Sequence, residues 1–204
     1  MKSAFLILTA CFSLASTISS FGQAPGKINP GDKLPEMNTE LKNVDGKMVS
    51  FHKAMDKNGL LVMFSCNTCP FVVKNEPVTK KVMAYAAAHK VGMVVINSNE
   101  AKRDGDDSYE EMKKYSKKQG LTVPYLTDNN ANMADIFGAN HTPEVFLFDG
   151  SGKLIYKGAM NDNPSDPSGY KKMYIFDAID AAVAGKEMNP SATKSIGCSI
   201  KRKV

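Results

Sequence analysis

Arginine is scarce in this 204-residue chain: of its 26 basic residues only Arg103 and Arg202 are arginines, and the 24 lysines are scattered. Phosphate recognition favours clustered guanidinium groups, so nucleic acid is not an expected partner. The closing Lys201-Arg202-Lys203 reads as a solvated tail. Beyond residue 22 no stretch approaches 18 consecutive apolar residues, which argues against a stable membrane span. Neither an internal repeat nor a low-complexity block is present. A second Cys-x-x-Cys and a spaced histidine pair are also lacking, so Cys66 and Cys69 do not have the four-ligand company that structural zinc requires. What remains is ordinary globular composition, 43% hydrophobic, 23% charged and 8% aromatic, with a formal charge of +5 that falls to +4 if Lys2 is removed.

Lys2 followed by the mostly apolar Ala4 to Ile18, with Ser20 and Gly22 three and one residues before a cut at Gln23, has the pattern of a secretory signal peptide over residues 1–22. A rival reading is the lipobox-like Leu8-Thr9-Ala10-Cys11, which would make the chain a lipoprotein anchored through Cys11. Either way the expectation is export, to a periplasm or to the exterior. The remaining 182 residues suffice for one domain, residues 23–204, with a tail from 186 and little room for a second large domain. Cys66, Cys69 and Cys198 stay in that part. An odd count in an oxidising compartment leaves at least one thiol outside a stable intramolecular bridge, and only Cys66 and Cys69 are close in sequence.

Hydrophobic periodicity supplies the order of elements. Thr39–Val44 and Lys47–Phe51 flank Asp45-Gly46, a β-hairpin signature. Leu60–Phe64 and Met93–Asn97 are short continuous apolar runs suited to buried strands. Between them Phe71, Val78, Val82 and Tyr85 recur at helical spacing from Pro70 to about His89, and proline suits a first helical position. Ser108 and Glu111 form a capping box that opens a helix ending at Gly120. A short strand over Pro124–Thr127 and a short helix over Asn132–Phe137 follow. Then come Val145–Phe148, the turn at Gly150–Gly152 and Leu154–Tyr156, an antiparallel pair. The polar loop 161–168, a plain surface loop or part of a partner surface, leads to a last helix from about Tyr170 to Ala184. A right-handed crossover makes the first two core strands parallel. The expectation is an α/β thioredoxin-like fold: a central mixed sheet flanked by helices, with an N-terminal β-hairpin and an insertion after the second core strand.

Three segments carry a family resemblance: Phe64-Ser65-Cys66-Asn67-Thr68-Cys69-Pro70 where a strand meets a helix, His141-Thr142-Pro143 directly before a strand, and Ser195-Ile196-Gly197-Cys198-Ser199-Ile200-Lys201 near the end. Together, over about residues 30–201, they make the chain similar to a peroxiredoxin-like branch of the alkyl hydroperoxide reductase/thiol-specific antioxidant (redoxin) family. The resemblance implies thiol–disulfide redox chemistry without a cofactor or a metal. Its expected partners are a protein or small-molecule disulfide, or a peroxide, and a thiol-reducing electron donor. It further implies a cis-proline at Pro143, with Thr142 and Pro143 presenting backbone to a substrate.

The nucleophile must be a thiolate, and a free cysteine is only about 3% ionised at pH 7. A helix N-terminus favours the negative charge. Pro70 at the first helical position makes Cys69 the N-cap and leaves Cys66 in the loop before it. The family register agrees, since Cys69 lies five residues after Phe64 and Pro77 eight residues after Cys69. The usual second cysteine of thioredoxins is Val72 here, so the resolving thiol comes from elsewhere. The expectation is that Cys69 attacks and Cys66, the nearest candidate, resolves. Cys198 is the second candidate if the tail folds back over the helix end, and otherwise a third redox thiol in a secondary or structural role or a buried inert one.

Three alternatives stay open. A peroxiredoxin-like peroxidase would carry Thr or Ser three residues before its cysteine and Pro four before that, with a downstream arginine stabilising the thiolate. Those positions hold Cys66 and Val62 counted from Cys69, and Met63 and Gly59 counted from Cys66, and the arginines are only Arg103 and the tail's Arg202. A copper chaperone of the same fold would gather Cys66, Cys69 and His141, soft ligands for Cu(I). A redox-inert interaction domain would leave the thiols idle. His141 is read as a proton donor or simply a water-exposed loop residue, and His52 and His89 as surface residues.

Overall fold

The computed structural model describes residues 28–203. The leader reading of residues 1–22 and the lipobox at Cys11 lie outside them. In chain order the strands are β1 (Leu41–Asn43), β2 (Met48–Val49), β3 (Gly59–Ser65), β4 (Gly92–Asn97), β5 (Tyr125–Thr127), β6 (His141–Thr142), β7 (Glu144–Asp149), β8 (Leu154–Gly158) and β9 (Cys198–Ser199). The helices are α1 (Phe51–Ala54), α2 (Pro70–Ala88), α3 (Tyr109–Gln119), α4 (Asn132–Phe137) and α5 (Tyr174–Ala184).

Seven strands form one mixed sheet in the order β2-β1-β5-β4-β3-β7-β8. β3 runs parallel to β4 and antiparallel to β7, with Phe64 beside both Ile96 and Glu144. Side chains of a strand alternate between faces, and here both faces are covered. Leu61, Met63 and Val95 pack with Val78 and Val82 of α2 and Ile175 and Ile179 of α5. Leu60, Val62, Phe64 and Ile96 pack on the other face with Phe51, Met133 and Phe137. That double burial is why β3 and β4 read as unbroken apolar runs. The expected α/β thioredoxin-like architecture is therefore present, with the hairpin at one edge and α3 inserted after β4.

Three boundaries differ from the sequence reading, each for a local reason. The hairpin stops short of Phe51, because Ser50 Oγ accepts from the Lys53 N–H (3.3 Å) and starts the one-turn helix α1. The last helix starts at Tyr174 rather than Tyr170, because Asp162 Oδ1 accepts from the N–H groups of Lys171 (2.9 Å) and Lys172 (3.1 Å) and holds them in the loop. The tail, to which the sequence reading assigned no element, contributes β9, which pairs antiparallel with β6: Ser199 opposite His141 and Cys198 opposite Thr142. Two-residue strands carry no periodicity that a sequence could display.

Candidate active site

The carboxyl end of β3 delivers the chain into a tight loop, Cys66-Asn67-Thr68, before Pro70 starts α2. Cys69 is the N-cap, with extended φ/ψ of −62° and 125° and no side-chain hydrogen bond to the helix. Cys69 thus stands at the positive end of the helix, a position that favours a thiolate once the sulfur is free. Pro143 follows a cis peptide bond, as the sequence reading expected, and Thr142 lies buried against both cysteines. Cys69 Sγ is 3.3 Å from the Thr142 carbonyl oxygen, and Cys66 Sγ is 3.5 Å from the Thr142 hydroxyl.

The bridge itself departs from expectation. Cys69 is joined to Cys198, not to Cys66, across 129 residues of sequence and a Cα–Cα distance of 6.1 Å. The physical reason is the β6–β9 pairing: it sets Cys198 directly opposite Thr142, whose carbonyl already touches Cys69. Gly197 is what lets the tail approach so closely, since a Cβ there would collide with the Thr142 carbonyl. Cys66 remains a free thiol, 1% exposed. Burial pushes its pKa up; the Thr142 hydroxyl opposes that rise and the Asp107 carboxylate adds to it. Cys69 is 5% exposed, whereas Cys198 is half-buried and so is the more accessible end of the bridge.

Beneath the loop lies a polar network that sequence reasoning missed. Asp107, with no exposed surface, accepts from the Asn67 N–H (2.9 Å), from Asn97 Nδ2 (2.7 Å) and from Asn99 Nδ2 (2.9 Å). Tyr125 donates to Asn67 Oδ1 (2.8 Å), and Asn99 Oδ1 accepts from the Lys201 N–H (2.8 Å). One carboxylate therefore ties the loop between the cysteines to the tail that carries Cys198. The available signal was Asn97-Ser98-Asn99, three polar residues where an apolar strand ends beside the end of β3. An open cleft of about 670 Å³ runs alongside this loop, lined by Asn67, Thr68, Asp106, Glu111, Lys114 and Tyr115 among others.

His141 does not join the cysteines. Its Nδ1 lies 3.1 Å from Ser195 Oγ. Cys66, Cys69 and His141 do not converge as a ligand set, and among the described residues no three His, Cys, Asp or Glu side chains are grouped to hold a metal ion. Neither arginine faces a cysteine: Arg103 donates to the carbonyls of Asp107 (2.9 Å) and Asn97 (2.8 Å), and Arg202 to Asp135 (2.7 Å) and the Ala139 carbonyl (2.8 Å). Among the described residues no helix is long and apolar enough to cross a membrane.

With this geometry in hand, the Redoxin family model matches residues 29–174. This chain belongs to the Redoxin family. The matched span holds Cys66, Cys69, Thr142 and Pro143, and Cys198 lies outside it. Two solved structures are similar over most of their length. An uncharacterized conserved protein from Geobacillus kaustophilus is 34% identical, with 86% of this chain and 93% of that one covered and a TM-score of 0.78. A hypothetical protein from Sinorhizobium meliloti is 30% identical, with 88% and 97% covered and a TM-score of 0.77. Peroxidoxin BcpB from Mycobacterium tuberculosis, at 15% identity, 76% and 94% coverage and a TM-score of 0.55, shares the fold. No curated protein matches this redoxin.

Proposed function

We propose that this redoxin is a thiol–disulfide oxidoreductase in which Cys69 attacks and Cys198 resolves. The observation that carries the reading is the meeting of these two sulfurs at the N-terminus of α2, over the Thr142 carbonyl. In the reduced protein the Cys69 thiolate attacks one sulfur of a disulfide, R–S–S–R, forming Cys69–S–S–R and releasing RS⁻. The Cys198 thiolate then attacks Cys69 Sγ and expels the second RS⁻. Two electrons pass from the cysteine pair to the substrate, and the Cys69–Cys198 bridge remains. An external thiol R′SH restores the pair in two steps. Its thiolate attacks Cys198, the more exposed sulfur, forming Cys198–S–S–R′ with Cys69 leaving as a thiolate that the helix end stabilises. A second R′S⁻ then attacks the R′ sulfur, releasing R′–S–S–R′ and the Cys198 thiolate.

The resolving role moves from Cys66 to Cys198 on two grounds: Cys66 is unbridged, and its raised pKa keeps it a thiol at neutral pH. A peroxidase reading lacks this support, because both arginines are engaged away from the cysteines. Export through the leader belongs to the same proposal, since a reversible bridge needs a compartment that permits it. Cell fractionation of the full-length protein checks that part. The chemistry is tested by an alkylation time course on the reduced protein near pH 6, followed by peptide mapping. Cys69 is expected to react first, and Cys69→Ser to abolish disulfide exchange. First modification at Cys66 would overturn the assignment.

A further inference from the structure

The two residues of β6 are the backbone edge beside the active-site sulfurs, and an exposed strand edge is where an extended polypeptide would add as a further strand. In this protein that edge is occupied. Cys198 and Ser199 of the chain's own tail lie antiparallel along Thr142 and His141. The tail is fastened on both sides of this pairing. Upstream, the Thr193 N–H donates to the Lys157 carbonyl (3.0 Å), and Thr193 Oγ1 meets Tyr156 Oη at 2.6 Å. Downstream, Ile200 is buried in the core and its N–H donates to the Asn140 carbonyl (3.0 Å). The Lys201 N–H is held by Asn99 (2.8 Å), the Lys201 carbonyl accepts from the Ala101 N–H (2.8 Å), and Arg202 is bound to Asp135. None of these contacts depends on the disulfide, so reducing the bridge frees a sulfur without freeing the strand.

We infer that the tail strand closes the Thr142 edge to polypeptides and makes this redoxin selective for low-molecular-weight disulfides. The inference rests on the assignment of Cys69 as the attacking thiol. A small disulfide needs only a sulfur and a line of approach, which the exposed Thr68 and Pro70 on either side of Cys69 and the half-buried Cys198 leave open. A protein disulfide must bring an extended chain past the cysteines, and the backbone groups that would align it are already paired with Cys198. The covalent steps are those given above. The small disulfide is reduced to two thiols, the Cys69–Cys198 pair is oxidised, and two external thiols return the two electrons and leave as their own disulfide.

The test uses the full chain, pre-reduced and freed of reductant, in single turnover against hydroxyethyl disulfide and against insulin. The wild-type protein is expected to form its bridge with the small disulfide and to reduce insulin at least about tenfold more slowly. Gly197→Val places side-chain atoms against the Thr142 carbonyl and pushes β9 off the edge, so the ratio of insulin rate to small-disulfide rate is expected to rise by about tenfold or more. Cys198→Ser supplies a variant that keeps the strand fastened: it is expected to trap a Cys69 mixed disulfide with the small reagent and none with insulin, read by intact mass. Comparable wild-type rates on both substrates, or an insulin adduct on Cys198→Ser, would overturn the inference while leaving Cys69 as nucleophile. Reaction with neither substrate would remove the Cys69 assignment, and the inference with it.

Discussion

Replacing Asp107 by asparagine removes one negative charge and one acceptor oxygen from the centre of the site. The side chain has no exposed surface and accepts three hydrogen bonds of 2.7–2.9 Å, two at Oδ1 and one at Oδ2. Asparagine keeping its oxygen toward Asn67 and Asn97 turns an NH₂ group toward Asn99 Nδ2, donor against donor. Asn99 has no escape by flipping, because its own oxygen already holds the Lys201 N–H. A lost charge-assisted hydrogen bond costs about 1.5–3 kcal/mol and a buried unsatisfied donor about 1–3 kcal/mol. Relief from burying the carboxylate offsets part of this, so Asp107→Asn is expected to lower unfolding free energy by about 3 kcal/mol, read as a shift of the urea midpoint. A second readout separates the site from general destabilisation. The Asp107 charge raises the Cys66 pKa, so the variant is expected to alkylate at Cys66 from a lower pH than the wild type. A midpoint shift worth under about 1 kcal/mol together with an unmoved Cys66 profile would refute the view that this carboxylate organises the loop.

Three further outcomes follow from the same structure. Reducing the Cys69–Cys198 bridge releases a constraint spanning 129 residues, and the chain-entropy treatment of such a loop predicts a loss of about 5 kcal/mol between oxidised and reduced protein in urea; a difference under about 1 kcal/mol would show that the unfolded chain gains little from the cut. Cys66 has a raised pKa through burial, so between its unfolded and folded values the native state holds the proton that the unfolded state has lost. Its contribution to stability is therefore full below the ordinary thiol pKa and drains as pH rises through the folded value, which a Cys66→Ala variant is expected to flatten in alkaline unfolding curves. Phe137 has no exposed surface and stands edge-on to Phe51, Phe64, Phe146 and Phe148; Phe137→Ala is expected to cost about 3–5 kcal/mol by thermal or urea unfolding.

Much of the fold was legible because burial leaves a pattern. The apolar runs of β3 and β4, the Ser108 cap that accepts from the Glu111 N–H (3.4 Å), and the left-handed glycines closing α3, α4 and α5 each have a local chemical cause that the sequence displays. Pro70 likewise marked Cys69 as the helix cap. The partner of Cys69 was not legible in this way. Cys66 is close to it in sequence, whereas Cys198 becomes close only through a two-residue ladder, a glycine that permits backbone contact, and anchors at Asn99, Asn140 and Asp135. Each of these is a long-range pairing without periodicity. Asp107 was hidden for the same reason, since in the sequence it is one acid among Asp104, Asp106 and Asp107, and only the topology of β3, β4 and β5 places it under the cysteine loop.

The most direct test of the account is to equilibrate the full chain in glutathione redox buffers, trap free thiols and map the bridge by mass spectrometry. The account predicts a reversible Cys69–Cys198 bridge, with Cys66 outside any bridge in every buffer. A reversible Cys66–Cys69 bridge with Cys198 free, or no bridge under any buffer, would contradict it.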